Sequence, residues 1–301
     1  MPASSTQRIF VTGGRGRLAS LIADHFRAPA YAVSLFSRTP GPGFQPLNSL
    51  LDPAVLVKTD TIYHLAWSSL PATSESHPGT ETQHDLPFLE RLLSALAASP
   101  ATRRVRLVFF SSGGTVYGNA PGRPNREDDT CAPIGSYGRA KLAAELLIAD
   151  RAARDGLHCT VLRISNPYGY PVPSSRAQGL IPHALRCGMN GEPLTLWGDG
   201  SARKDFIYYT DFLSALELVL PGNINGTFNL CAGESHRIDE VIRLVEGELG
   251  RPVNLKSGAA PAWDVHDSRL DNVKFTAATG WQPQVPLAEG IRRAAAGYAA
   301  H

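Results

Sequence analysis

The sequence is poor in cysteine and in net charge, and it has no long apolar run. Four cysteines, Cys131, Cys159, Cys187 and Cys231, are scattered over 301 residues. No two of them have the spacing of a redox pair or a zinc knuckle, so four reduced thiols and no metal site are expected. Lys and Arg number 29 against 27 Asp and Glu, a net charge of +2. That balance gives no electrostatic footing for nucleic acid or a membrane surface. No stretch approaches the ~18 apolar residues of a transmembrane helix. The segment from Met1 to Gln7 is polar and lacks the apolar core of a secretory leader, so the chain reads as cytoplasmic. No internal repeat or low-complexity tract is visible. With 43% hydrophobic and 19% charged residues, the composition excludes disorder, collagen and coiled coil as descriptions of the whole.

What is present alternates. Short apolar runs at Arg8–Val11, Ala32–Phe36, Thr61–Leu65, Val105–Phe110 and Thr160–Ile164 read as strands. Helical spacing appears at Leu18–Phe26, Pro87–Ala98 and Ala140–Arg154, with Phe88, Leu89, Leu92, Leu93 and Leu96 on one face of the second. Strands alternating with helices predict βαβ units and a parallel sheet. From Asn166 onward Gly and Pro become frequent, as in Asn166-Pro-Tyr-Gly-Tyr-Pro-Val-Pro173, and a more irregular second domain is expected to begin there. The stretch between Arg38 and Asp60 is short and shows no clear third strand.

Three motifs carry chemistry. Val11-Thr12-Gly13-Gly14-Arg15-Gly16-Arg17-Leu18-Ala19 runs from a strand through a glycine turn into a helix. Such a turn lets the backbone approach a pyrophosphate at a helix N-terminus. The second strand ends Leu35-Phe36-Ser37-Arg38. An acidic residue for the ribose 2′-hydroxyl of NAD belongs about 20 residues after the glycines, and none is there. A small hydroxyl followed by Arg suits a 2′-phosphate, although Arg38 also reads as a solvated loop residue. The third motif, Ser136-Tyr137-Gly138-Arg139-Ala140-Lys141, opens a helix with Tyr137 and Lys141 on one face. An ammonium beside a phenol is expected to lower the phenol's pKa and fit it for general-base work on an alcohol. Just upstream, Phe110-Ser111-Ser112-Gly113-Gly114-Thr115-Val116-Tyr117-Gly118 offers hydroxyls at a strand end.

These segments together resemble the NAD-dependent epimerase/dehydratase family of extended short-chain dehydrogenases/reductases, and within it the nucleotide-sugar 4-epimerases. Further matches are Asp60-Thr-Ile-Tyr-His64-Leu65-Ala66, Leu162-Arg-Ile-Ser-Asn166-Pro-Tyr-Gly169, Trp197-Gly-Asp-Gly200 with Lys204-Asp-Phe-Ile207, and Thr279-Gly-Trp-Gln-Pro283. The resemblance implies an α/β fold: a Rossmann doubly wound parallel sheet with a smaller, irregular C-terminal α/β substrate domain. The expected division is 1–165, with 205–231 returning to it, against 166–204 and 232–301. It implies Tyr137 as proton acceptor, Lys141 as its partner on the nicotinamide ribose, and a hydroxyl completing the triad. The usual position of that hydroxyl falls on Gly113, so Thr115 or Ser112 must supply it. Thr115 is favoured because residues two apart in a strand share a face. Implied cofactor contacts are Gly13, Gly16, Arg17, Leu18, Ser37, Arg38, Leu65, Ala66, Ser111, Tyr137 and Lys141. Implied substrate contacts are Asn166, Thr195, Trp197, Lys204 and Asp264. His64 is expected to be structural.

The chain departs from the family's pattern at Lys204 and Pro261, where the family usually has arginines against the diphosphate. The expected activity is epimerisation of a nucleotide-sugar at C4 through a 4-keto intermediate. An NADPH-dependent 4-keto-sugar reductase is the alternative, and a non-catalytic dinucleotide-binding regulator is a third reading. The cofactor is NAD or NADP, with a slight lean to NADP from Ser37 and Arg38. A homodimer is expected through the leucine-rich faces of the Pro87–Ala98 and Ala140–Arg154 helices.

Overall fold

In the computed structural model, residues 6–120, 122–170, 179–222 and 224–299 are described. Pro171, Val172 and Pro173 of the expected irregular stretch lie outside them. The strands are β1 (Gln7–Thr12), β2 (Tyr31–Ser37), β3 (Phe44–Pro46), β4 (Thr61–His64), β5 (Arg106–Ser112), β6 (Cys159–Ile164), β7 (Asn166–Tyr168), β8 (Leu194–Trp197), β9 (Arg203–Tyr208), β10 (Gly226–Leu230), β11 (Ser235–Arg237), β12 (Leu255–Gly258) and β13 (Asp267–Ser268). The helices are α1 (Arg17–His25), α2 (Pro53–Leu56), α3 (Pro71–Ser76), α4 (Thr80–Ala97), α5 (Pro100–Arg103), α6 (Gly113–Val116), α7 (Ser136–Asp155), α8 (Leu180–Asn190), α9 (Tyr209–Val219), α10 (Ile238–Leu249), α11 (Val273–Thr279) and α12 (Leu287–Ala299).

Two compact units result. The first comprises Met1–Ser111, Ser136–Arg163 and Val219–Phe228. Its parallel sheet has seven strands in the order β10-β6-β5-β4-β1-β2-β3. That is the doubly wound order, with the crossover point between β1 and β4. Ile9, Val11, Ile62, Tyr63, Leu107, Val108 and Phe109 are fully buried, as expected for strands covered on both faces. The chain does form a third strand: β3 pairs parallel with β2, Leu35 opposite Phe44 and Ser37 opposite Pro46. Three residues between Gly43 and a 3₁₀ turn at Leu47–Leu51 are too few for an alternating pattern to show in the sequence.

α4 begins seven residues before Pro87, so the proline lies inside the helix rather than at its start. Upstream of it Glu81 and Asp85, one turn apart, are buried. Carboxylates on the inward face erase the apolar periodicity that would have revealed those turns. Leu89, Leu92, Leu93 and Leu96 enter the core beneath the sheet. The leucine face read as a dimer seam is therefore engaged, on α4, by the helix's own sheet. On α7 Leu146 remains 64% exposed.

The second unit comprises Ser112–Gly135, Ile164–Leu218 and Asn229–His301. Its four-stranded sheet runs β11-β9-β13 with β7 beside β9, and β12 pairs with β8 separately. Ile181, Leu185, Val241, Val245, Ile291 and Ala294 join α8, α10 and α12 in one apolar core. Among the described residues no helix is long and apolar enough to cross a membrane, and no cluster of three or more metal-ligating side chains occurs.

Candidate active site

The glycine turn after β1 is a backbone cradle. Gly13 has φ +70°, and its carbonyl accepts from Gly16 N at 2.7 Å. A Cβ on Gly13 would stand 3.0 Å from Ala66 N and 3.1 Å from the Leu65 carbonyl carbon. Leu65 and Ala66 thus wall the turn from the end of β4, where Ala66 N donates to Thr12 Oγ1 at 3.0 Å. Gly16 caps α1, whose first residues are Arg17 and Leu18. Arg17 Nη1 is buried with no partner among the described residues. A turn that tolerates no side chain, amides at a helix start and an unmatched buried guanidinium nitrogen together fit a bound pyrophosphate. Gly13→Ala should weaken dinucleotide binding at least about 10-fold. It should also cost about 1–3 kcal/mol of stability through its positive φ and the backbone contacts. Titration calorimetry and thermal melts would show both, and unchanged values would remove the cradle from the cofactor site.

At the end of β2, Ser37 is buried and accepts from Thr39 N at 3.2 Å. Arg38 does not simply project into solvent. Its Nη1 donates to Ser68 Oγ at 2.5 Å. Ser68 in turn donates its hydroxyl to Asp85 Oδ1 at 2.8 Å, and its backbone N to Oδ2 at 2.9 Å. Arg38, Asp85, Ala66, Phe88 and Arg91 border one cavity of about 530 Å³. The sequence-based lean to NADP rested on the lack of a carboxylate here, and Asp85 supplies one from α4.

Tyr137 and Lys141 lie on the first turns of α7. Lys141 is 4% exposed. Its Nζ donates to Phe110 O at 2.8 Å and sits 3.8 Å from the Trp67 ring centre, 4.7 Å from Phe109 and 5.7 Å from Tyr137. Burial pulls this ammonium down to about 7, against the opposing pull of Asp85, Glu145 and Glu81. Tyr137 departs from the expectation. Burial, and behind it the charges of Glu81 and Asp85, push its phenol well above the ordinary value of 10.0. The phenol is thus raised, where the sequence led one to expect it lowered. His64 is buried and joined to Thr12 Oγ1 at 2.9 Å, and burial followed by Lys141 lowers it to about 3. It stays neutral at working pH, in keeping with a structural role.

Ser111 gives its hydroxyl to Glu145, which clasps Arg163 at 2.7 Å. A cofactor contact from Ser111 would therefore fall to its backbone. Gly13, Gly16, Arg17, Leu18, Ser37, Arg38, Leu65, Ala66, Ser111, Tyr137 and Lys141 all belong to the first unit. Sequence reasoning missed Trp67, Ser68, Glu81 and Asp85. A pair of acids one helical turn apart, ahead of an apolar helix and following two serines, was the available signal.

The remaining expected residues belong to the second unit. The strand geometry invoked for Thr115 ends at Ser112, because Gly113–Val116 is a helical turn. Residues two apart there diverge by about 200°, so Thr115 does not point as Gly113 does. Its Oγ1 is nevertheless buried without a partner among the described residues. Ser112 is half-buried and forms no side-chain cap on that turn. Asn166 donates to Asp205 O at 2.7 Å. Thr195 and Trp197 share a face of β8 against Gly258, whose added Cβ would meet them at 2.9 and 2.8 Å. Trp197 is 57% exposed. Lys204 is paired with Asp264 at 2.9 Å, so the two are brought together as an ion pair.

A sequence profile described as the NAD dependent epimerase/dehydratase family matches residues 9–231. A UDP-glucose 4-epimerase of Mycolicibacterium smegmatis is 27% identical over 95% of this chain and 96% of its own length. A dTDP-4-dehydro-6-deoxyglucose reductase of Escherichia coli is 32% identical over 62% of this chain and 59% of its own. The solved structure of Thermus thermophilus UDP-glucose 4-epimerase in complex with NAD superposes with a TM-score of 0.85 at 26% identity, covering 97% of this chain and 99% of that one. The profile spans well over half of the sequence, and the chain belongs to the NAD-dependent epimerase/dehydratase family.

Proposed function

We propose that the protein inverts C4 of a nucleotide-sugar through a 4-keto intermediate. The observation that carries this reading is the Tyr137–Lys141 pair on α7, its lysine fixed to the Phe110 carbonyl in the same unit as the glycine cradle. Tyr137 takes the proton of the sugar 4-hydroxyl and later restores it. A bound nicotinamide supplies the hydride acceptor and donor. Lys141, held in an aromatic cage, contributes positive charge to the phenol and a donor to the cofactor ribose. Thr115 or Ser112 supplies the hydroxyl that hydrogen-bonds the reacting oxygen. Asn166, Thr195, Trp197, Lys204 and Asp264 contact the nucleotide-sugar, Trp197 by stacking on its base. The pairing of Lys204 with Asp264 weakens its pull on a diphosphate. The names of the epimerase relatives support the reaction type.

The test is incubation of the purified protein with UDP-glucose and other nucleotide-sugars. The expected result is a C4 epimer seen by NMR without net use of cofactor. Stoichiometric oxidation of NADPH with a 4-keto nucleotide-sugar would instead establish the reductase, the reading that the 32% identical relative favours. Absence of dinucleotide binding would leave the regulator and the enzyme readings both untenable.

We also propose a homodimer, with α7 rather than the buried leucine face of α4 supplying the apolar contact. Its support is the apolar strip left on α7, where Leu146 and Ala143 are exposed and Leu142 half-exposed. Light scattering should give twice 32.3 kDa, and a monomer at micromolar concentration would refute it.

A further inference from the structure

The segment that follows β4 lies against the end of β2 through side chains that neither strand's own sequence announces. Ser68 has one hydroxyl proton. It donates that proton to Asp85 and accepts from Arg38, so the order Arg38, Ser68, Asp85 is fixed by donor chemistry. Asp85 is 8% exposed and takes a second bond from Ser68 N. The guanidinium at the β2 end is thereby tethered to a carboxylate bordering the same cavity. In a doubly wound fold the end of β2 is where the adenosine ribose is read.

We propose that Asp85, acting through Ser68 and Arg38, makes this pocket select a dinucleotide with a free ribose 2′-hydroxyl over one with a 2′-phosphate. The carboxylate normally carried by β2 is replaced here by one from α4. A 2′-phosphate would have to draw Arg38 off Ser68 and then lie beside a negative charge. A hydroxyl requires neither. Arg38, read from the sequence as a phosphate ligand, becomes the strut that holds the selective group in place. The inference rests on the dinucleotide-binding reading of the first unit.

Calorimetric titration of cofactor-free protein with NAD and with NADP tests it, the quantity read being the ratio of the two dissociation constants. Asp85 also acts on Lys141, but that effect is common to both dinucleotides and cancels in the ratio. The unmutated protein should bind NAD more tightly than NADP. Asp85→Asn keeps the shape and removes the charge, and should shift the ratio toward NADP by about 10-fold or more. Ser68→Ala, which frees Arg38 and leaves Asp85 its charge and its bond from the backbone N of residue 68 while removing the hydroxyl bond, should shift it in the same direction. Tighter binding of NADP by the unmutated protein, or a ratio unmoved within about two-fold in folded Asp85→Asn, overturns the proposal. Failure of both dinucleotides to bind removes the dinucleotide-binding reading and this inference with it, whereas equal binding of both removes only the inference.

Discussion

Replacing Tyr137 with Phe should lower turnover by at least about 100-fold while dinucleotide binding stays within about two-fold. The substitution keeps the ring that lies 5.7 Å from Lys141 Nζ and deletes only the oxygen. Its effect therefore reports chemistry and not packing. In the protein alone the phenol is held protonated by burial and by the carboxylates of Glu81 and Asp85. The resting group is a neutral donor. Positive charge arriving at the site acts against those carboxylates and moves the phenol toward the ionised form that can accept a proton. Steady-state kinetics with calorimetry on the same sample separate the two expectations, and activity within a factor of about two of the unmutated enzyme would exclude Tyr137 as the proton acceptor.

Glu145→Ala should cost about 3–5 kcal/mol of stability, the range found when one partner of a buried ion pair is removed. Glu145 and Arg163 are 5% and 7% exposed and meet at 2.7 Å. Arg163 Nε adds a contact to the same carboxylate oxygen at 3.0 Å, and Ser111 donates to the other. Deleting the carboxylate leaves a guanidinium without its counter-charge between α7 and β6, and a buried hydroxyl without its acceptor. Desolvation is then uncompensated. At ~2–4 °C per kcal/mol for a body of this size, the melting temperature should fall by roughly 10 °C. Removing both charges is a different case. Glu145→Met combined with Arg163→Met should recover most of the loss, because two apolar side chains of similar reach need no counter-charge. Equilibrium denaturation of the single and double variants is the measurement. A loss below about 1 kcal/mol in the single variant would mean that water reaches the pair.

The parallel sheet was legible because its strands are buried on both faces. Runs such as Leu107–Phe110 carry apolar side chains without a break. The glycine turn and the Tyr137–Lys141 spacing were legible because short-range geometry fixes them. Three features were not. β3 is too short to display a period. The first two turns of α4 carry buried Glu81 and Asp85, whose partners Ser69 and Ser68 come from a different segment, so no local pattern marks them as inward-facing. The helical turn at Gly113–Val116 overrode the alternation assumed for Thr115, because the strand stops where two consecutive glycines begin. In each case the deciding interaction is non-local, or the element is shorter than the period used to find it. The same holds for Arg38, whose partner is 30 residues away.

The brevity of β3 has a consequence for the behaviour of the protein in concentrated solution. It is the outermost strand on one side of the sheet, and it is three residues long, ending in Pro46. An outer strand is a template on which a second chain can add, and the risk grows with the number of unpaired amides it presents in a row. Proline has no amide hydrogen to offer, and Phe44 and Gln45 alone are too few to hold a foreign strand. The short connection after Arg38 thus shields this edge of the sheet from edge-to-edge aggregation.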